Sequence, residues 1–406
     1  MASMISPDGS TGLLPRPRSA PAGANVEFGA VLAVLLVTGW VANHFVALMP
    51  TISDRQHLSR STLDAIFGIY AVGLLPGLLI GGRASDALGR KAVALAGSAT
   101  AVVGTVAMLL SQQPGVLLAG RLIVGVGVGL AMTSGTAWAS DLKGPAGAAT
   151  AGAVLIAGFA IGPFAGGLIA GAGDFGVQVS FAVAAALVVV AMAVTLAAAR
   201  GTTESATVAT GDALTATTSR LSSTRALSWA LPLAPWVFAS ATLGFITIPA
   251  RVHTGLAAPI AAGIAALIVN GSSGVIQIIA RLGTWGPRAG TIGAVLAALG
   301  YAAFAVTPPT MTLAMSLALM LVLGCASGLS LREGLIDLEA AAPQHVRGML
   351  TGAFYALTYI GFGLPLLLTS VGYGGSQIIL AVMASLAATA AITRALRLRR
   401  DGHRQS

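Results

Sequence analysis

Twelve stretches of this chain are each apolar for about the ~20 residues that a helix needs to cross a hydrocarbon layer of ~30 Å, and no other feature constrains its fold as tightly. They fall at about 28–50, 62–82, 92–111, 115–139, 146–170 and 177–199, then at about 227–250, 257–280, 290–306, 310–331, 347–370 and 374–396. Between the two sets lies Arg200 to Arg225, rich in Thr and Ser and poor in large apolar residues, which reads as a linker. The pattern predicts an all-α membrane protein of twelve transmembrane helices in two six-helix bundles, 28–199 and 227–396. A tail at 1–27, a linker at 200–226 and a tail at 397–406 complete it.

Composition agrees, because 9% charged residues in a chain of 406 cannot cover a soluble globule. Glycine reaches 52 residues while aromatics are 5%, a balance that suits helices packed through small side chains. The net charge of +9 does not point to nucleic acid, because the basic residues stand singly between apolar runs instead of forming a stripe. With the N-terminus inside, seventeen of them, from Arg16 to Arg404, occupy inner segments, and only Arg55, Arg60 and Arg251 lie outside. Cationic loops resist translocation, so both termini are expected in the cytoplasm. The 27 residues before the first run lack the apolar core of a signal peptide, and no cleavage is expected. Two lysines against twenty arginines, with abundant alanine, suggest a GC-rich bacterium and hence its inner membrane.

Several chemistries are excluded. The one cysteine, Cys325, allows no intrachain disulfide and no metal-ligand pattern, and no cofactor is implied. No two acids are adjacent, as a membrane transferase holding a metal-bound diphosphate would require. Nor is there the filter or charged ring of a channel. A weak internal echo points toward a transporter: Gly77, Gly89 and Lys91 recur as Gly274, Gly286 and Arg288, and Gly125 and Gly129 recur as Gly324 and Gly328. Duplicated transporter halves produce such echoes.

Three motifs sharpen the reading. Helices two and three are joined by Gly82-Arg83-Ala84-Ser85-Asp86-Ala87-Leu88-Gly89-Arg90-Lys91. Gly82 is expected to let helices approach and Gly89 to supply a turn. Helix four carries Arg121 followed by Gly125, Gly127 and Gly129. Helix five carries Gly158, Gly162-Pro163 and Gly166-Gly167, where small residues every fourth position permit close crossing. Pro163 there removes the hydrogen bond to the Phe159 carbonyl and bends the helix. The three together resemble the major facilitator superfamily, and the helix-five pattern resembles its drug/proton antiporter branch. The residues from Pro343 to Gly348 resemble the matching loop before helix eleven. The resemblance implies alternating access, with Asp86 meeting the start of helix eleven and Arg90 meeting Asp141 in a conformational latch. Ala87 replaces the family's usual basic residue.

The resemblance fails in helix one, where many proton-coupled exporters hold an acid and this chain has none. His44 is therefore the first candidate for proton coupling, since a histidine can carry a proton near neutral pH. Arg121, Asp64, Glu333 and Asp337 follow, with the three acids expected at the membrane interface. At mid-membrane depth the candidate substrate contacts are Trp40, Asn43, Tyr70, Trp236, Asn270, Tyr355 and Tyr359. Such a lining offers aromatic faces and neutral hydrogen-bonding groups to an organic molecule. The expected partners are a small-molecule substrate, protons and the lipid bilayer, and the expected working unit is a monomer. The alternative is a sugar or small-metabolite transporter not driven by protons.

Overall fold

The computed structural model describes residues 22–198, 227–341 and 344–403. The expected linker at 200–226 lies outside the described residues. Among those described there is no strand, and eleven helices are long and apolar enough to cross a membrane: α1 (Asn25–Gln56), α2 (Arg60–Leu88), α3 (Arg90–Leu110), α4 (Pro114–Gly144), α5 (Ala146–Ala170), α6 (Gly176–Ala198), α7 (Leu227–Arg251), α8 (Ala258–Leu282), α9 (Arg288–Ala305), α10 (Leu313–Leu338) and α11 (Leu350–Arg400). Helical backbone begins at Ala22, earlier than the expected start near 28.

Eleven helices appear in place of the twelve expected because the last two apolar runs join into one of 51 residues. At ~1.5 Å per residue this run is more than twice the thickness of a hydrocarbon layer. Gly372 interrupts it with φ 70° and ψ −176°, a backbone open to a residue without Cβ. The α2–α3 turn uses the same freedom at Gly89 (φ 91°), and the position that echoes it, Gly286, has φ 55°.

Glycine is where the helices touch. A Cβ added to Gly158 of α5 would lie 2.9 Å from Gly39 Cα of α1, and one added to Gly162 would lie 2.7 Å from Trp40 Cα. Gly166 faces the His44 side chain, while Gly167 meets the Pro259 carbonyl of α8 and Ala47 of α1. The second echo is also structural. Gly125 and Gly129 press on the α2 backbone at Tyr70 and Leu74, and Gly324 and Gly328 press on the α8 backbone at Val269 and Ser273. Without a hydrophobic driving force between helices in lipid, such backbone approach supplies the van der Waals contact that holds them. The outward faces carry Val189, Ile278, Val382 and Ile392, large apolar side chains suited to acyl chains.

Two seams join the first six helices to the later ones. The α5–α8 seam includes the close approach of Gly263 to the Pro163 carbonyl and the contact of Ile156 with Gly274. The α2–α11 seam runs from the hydrogen bond between Thr369 and Asp64 to the contact of Leu79 with Gly352.

Gly158→Ala should lower the thermal unfolding midpoint, because the methyl meets backbone that cannot move aside, a class of overpacking that costs ~1–3 kcal/mol. Gly152→Ala, in the same helix with nothing within 4 Å, is the control. Equal midpoints for the two variants would contradict this packing.

Candidate functional site

Between the two seams lies a small cavity lined by Ala42, Asn43, Tyr70, Phe159, Phe238, Phe245, Asn270, Tyr359 and Phe362. Its volume of ≈ 20 Å³ admits about one water. Pro163 organises it. With no N–H at position 163, the Phe159 carbonyl loses its partner within α5. Asn43 Nδ2 of α1 donates to that oxygen at 3.0 Å and Asn270 Nδ2 of α8 donates to it at 3.3 Å. Asn270 Nδ2 also reaches the Ala266 carbonyl at 3.0 Å, as a helix side chain bonding back one turn. Only an amide N–H can face a carbonyl, so the orientation of both amides follows from the acceptor.

The rest of the wall is aromatic. Phe362 sits in a short 3₁₀ turn, Ile360–Gly363, and stacks on Phe67 with centroids 5.1 Å apart. It also touches Phe238 and Tyr359 at 5.1 and 5.3 Å. Phe245 lies in a π-helical turn of α7, Leu243–Thr247, a local widening that often marks functional positions. Of the residues expected at the substrate site, Asn43, Tyr70, Asn270 and Tyr359 line this cavity. Tyr355 is one ring removed, 6.5 Å from Tyr359. Trp40 packs on Gly162, its indole N–H unpartnered. Trp236 is elsewhere, 5.9 Å from Tyr301, whose hydroxyl pairs with Ser240 at 2.8 Å.

Behind Tyr70 lies Arg121, fully buried. It does not reach for the interface. Its Nη1 donates to the Ala42 carbonyl at 3.1 Å, and its guanidinium sits 4.4 Å from the Tyr70 ring centroid and 4.9 Å from that of Phe45. Nε and Nη2 have no partner, and no carboxylate pairs with Arg121 among the described residues. An arginine within a span costs ~2.5–3.5 kcal/mol on insertion scales, and cation–π contacts and one carbonyl offset part of that. Two residues beyond Ala42, His44 interrupts α1. Its Nδ1 lies 3.1 Å from the Val41 carbonyl, an acceptor to which Nδ1–H donates. Nε2 is buried without a partner and the ring packs edge-on to Phe181.

Charges gather at the face that bears the α2–α3 turn. Arg90 Nη1 lies 2.5 Å from Asp86 Oδ1 and Arg90 Nε lies 3.0 Å from Asp141 Oδ2. Arg90 also donates to Ser85 Oγ at 2.7 Å, and the Ser85 hydroxyl donates to the Gly82 carbonyl at 2.8 Å. Lys91 follows at the start of α3. Gly82 does not mediate helix contact, since nothing lies within 4 Å of a Cβ placed there. Its neighbour Gly81 faces Leu130 and Thr133 of α4. The cluster ties α2, α3 and α4 together. Asp86 and Asp141 are well exposed, so each pair contributes at most ~1 kcal/mol. Ala342 and Pro343, just before the expected helix eleven, lie outside the described residues.

The other acids are less interfacial than their sequence positions imply. Glu333 and Asp64 are each 1% exposed. Glu333 pairs with Arg332. Asp337 pairs with buried Arg394 at 2.7 Å, and Arg394 also donates to the carbonyls of Trp229 and Pro287. Asp64 has no arginine partner among the described residues. It lines a vestibule of ≈ 750 Å³ at the opposite face, between the α1–α2 and α7–α8 loops. Phe245 borders both spaces.

A central cavity between two sets of helices, with an ionic cluster on the α2–α3 turn, is transporter geometry, and residues 31–365 match the Major Facilitator Superfamily. The chain belongs to that superfamily. It is a multi-pass membrane transporter and not an enzyme. Over 96 residues it is 32% identical to the multidrug resistance protein MdtL of Escherichia coli O81 (strain ED1a). It is 33% identical to that of Shigella flexneri serotype 5b (strain 8401). Each match spans 24% of this chain and 24% of the relative. Among solved structures the chain is similar to peptide transporter POT in complex with sulfate (TM-score 0.75, 13% identity, 95% of this chain and 97% of that one). It is also similar to a POT family transporter in complex with 5-aminolevulinic acid (TM-score 0.72, 14% identity, 93% and 96%). At these identities the likeness is one of fold.

Phe159, Phe238, Phe245 and Phe362 were not singled out in the sequence. Only the Phe159 carbonyl carried a signal, through Pro163. Asn43→Val and Asn270→Val should each destabilise the protein by ~0.6–1.7 kcal/mol, the range of inter-helix hydrogen bonds in membranes. Because both donors share one acceptor, either alone still satisfies it and only the double variant leaves the carbonyl bare, so the double variant should lose more than the sum in a thermal-unfolding cycle. Additive losses would mean that the two amides do not share the carbonyl.

Proposed function

We propose that this chain is a proton-coupled exporter that moves small lipophilic organic molecules out of the cytoplasm by alternating access. The observation that carries the reading is the cavity wall. It presents aromatic rings and two side-chain amides, and no ionised side chain lines it. Such a wall receives a largely apolar molecule with one or two hydrogen-bonding groups and excludes small, strongly hydrated ions. The similarity to MdtL over 96 residues supports the same substrate class. In this reading α11 is two spans divided at Gly372, which gives twelve helices in two bundles, 28–199 and 227–396. The arginine-rich loops face the cytoplasm, both termini with them, in a bacterial inner membrane.

The working cycle follows from the interactions present. The Asp86–Arg90–Asp141 cluster is a cytoplasmic latch whose exposed pairs are weak enough to open and close with substrate. The vestibule is the outer half of the path, and Phe245 is the partition that must move for the cavity to empty into it. The cavity, at ≈ 20 Å³, is contracted in this conformation and enlarges when the seams part. One chain contains every part of this path, which supports a working monomer.

The test is transport into inside-out vesicles with two lipophilic probes, neutral chloramphenicol and cationic ethidium. An acidic lumen should drive accumulation, nigericin should abolish it, and Tyr359→Ala should reduce uptake about tenfold, the effect of losing ~1.4 kcal/mol of binding. Uptake of sugars in preference to the lipophilic probes, or accumulation indifferent to nigericin, would favour a metabolite transporter not driven by protons.

A further inference from the structure

The exporter reading requires a group that takes and releases the proton, and the geometry points to Asp64. The carboxyl is buried at the start of α2, with Oδ2 2.6 Å from Thr369 Oγ1 of α11. The same hydroxyl oxygen lies 2.8 Å from the Pro365 carbonyl, one turn earlier in α11. Asp64 Oδ1 is buried with no partner.

A threonine hydroxyl has one hydrogen, and this decides between two arrangements. If Asp64 is ionised, Thr369 must donate to it. The contact with Pro365 is then not a hydrogen bond, and a buried carboxylate is left with one donor and one bare oxygen. If Asp64 is a carboxylic acid, its Oδ2–H donates to Thr369 Oγ1 and Thr369 donates to the Pro365 carbonyl. Oδ1 is then a neutral carbonyl oxygen, whose burial is far less costly than that of a charge. The acid form makes one hydrogen bond more and buries no charge.

The surrounding charges leave this choice in place. Arg60, one turn earlier, donates to the Ile246 carbonyl at 3.4 Å and forms no ion pair with Asp64. Arg251 of α7 lies over the rings of Phe304 and Tyr373, at 4.6 and 5.6 Å. Asp54 and His253 complete the charged and titratable groups of the vestibule wall.

We propose that Asp64 is a proton-binding site at the vestibule, and that its bound proton keeps the α2–α11 seam closed by leaving the buried carboxyl uncharged and dry, the Asp64–Thr369 hydrogen bond being present in either form. For release, a vestibule water accepts the Oδ2 proton, the O–H bond electrons stay on the carboxylate, and hydronium leaves into the vestibule. The Thr369 hydroxyl then turns from Pro365 to Asp64, and Oδ1 draws in water, which parts the two helices. His44 has no comparable place, since it is wholly buried and does not line the vestibule. The direction of proton entry rests on the exporter reading above, but the site and its hydrogen bond do not.

The whole transporter in liposomes tests this in two ways. Infrared spectra at neutral pH should show a carboxylic-acid carbonyl band that is absent in Asp64→Asn and shifted to higher wavenumber in Thr369→Val. In a Cys325→Ser background, nitroxides at Ser61 and Ser370 should move apart as pH rises in the wild-type sequence. In Asp64→Asn, whose amide N–H replaces the acid O–H, the distance should stay at its short value. No band lost in Asp64→Asn, or an equal pH response in that variant, would overturn the proposal. Band and pH response both present, with transport indifferent to a proton gradient, would support the site and refute the exporter's proton coupling.

Discussion

The Phe159 carbonyl is the interaction around which this protein is arranged. Pro163 takes away its helical partner, and a buried carbonyl left bare costs ~1–3 kcal/mol. Asn43 and Asn270 meet that need from two different helices, on opposite sides of the α5–α8 seam. One missing N–H thus places two amides at one point and brings α1, α5 and α8 together there. The glycines around it permit the approach: Gly158 and Gly162 admit α1, while Gly167 and the Pro163 carbonyl receive α8. A packing motif and a polar site are here the same feature.

Charge is kept off the cavity surface but close behind it. Arg121 lies beneath Tyr70, without a carboxylate partner, held by the Ala42 carbonyl and aromatic faces. Its field reaches the cavity through a low-dielectric wall, so a small cation there is opposed and a lipophilic molecule is not. The acids stand at the two ends, Asp64 at the vestibule and Asp86 and Asp141 at the opposite face. Glu333 and Asp337 are taken up by Arg332 and Arg394. The Asp337–Arg394 pair joins α10 to α11, whereas Arg332 and Glu333 are neighbours within α10.

Depth was legible in the sequence, and direction was not. Apolar runs place a residue along the membrane normal, so Asn43, Tyr70, Asn270 and Tyr359 could be named at cavity depth. Trp236 has the same depth, but its helix turns it toward Tyr301, and a run that is apolar all round carries no periodicity to reveal this. The freed Phe159 carbonyl followed from Pro163 alone. Its partners did not, because the two contacts span 116 and 111 residues. Asp64 looked interfacial because it opens a helix, whereas packing by α11 buries it. Gly82 and Gly81 are indistinguishable by composition, and only the helix rotation shows that Gly81 makes the contact. The twelfth helix was counted from hydropathy, which cannot tell a turn at Gly372 from a continuing run.

The central claim is that the proline-freed carbonyl fixes the relation of α1 to α8. Pro163→Ala supplies an N–H that competes with both asparagines for Phe159, and pulsed electron resonance between nitroxides at Arg55 and Leu256, in a Cys325→Ser background, reads the result. The account predicts a longer and broader distance distribution in Pro163→Ala than in the parent sequence. An unchanged distribution would contradict it.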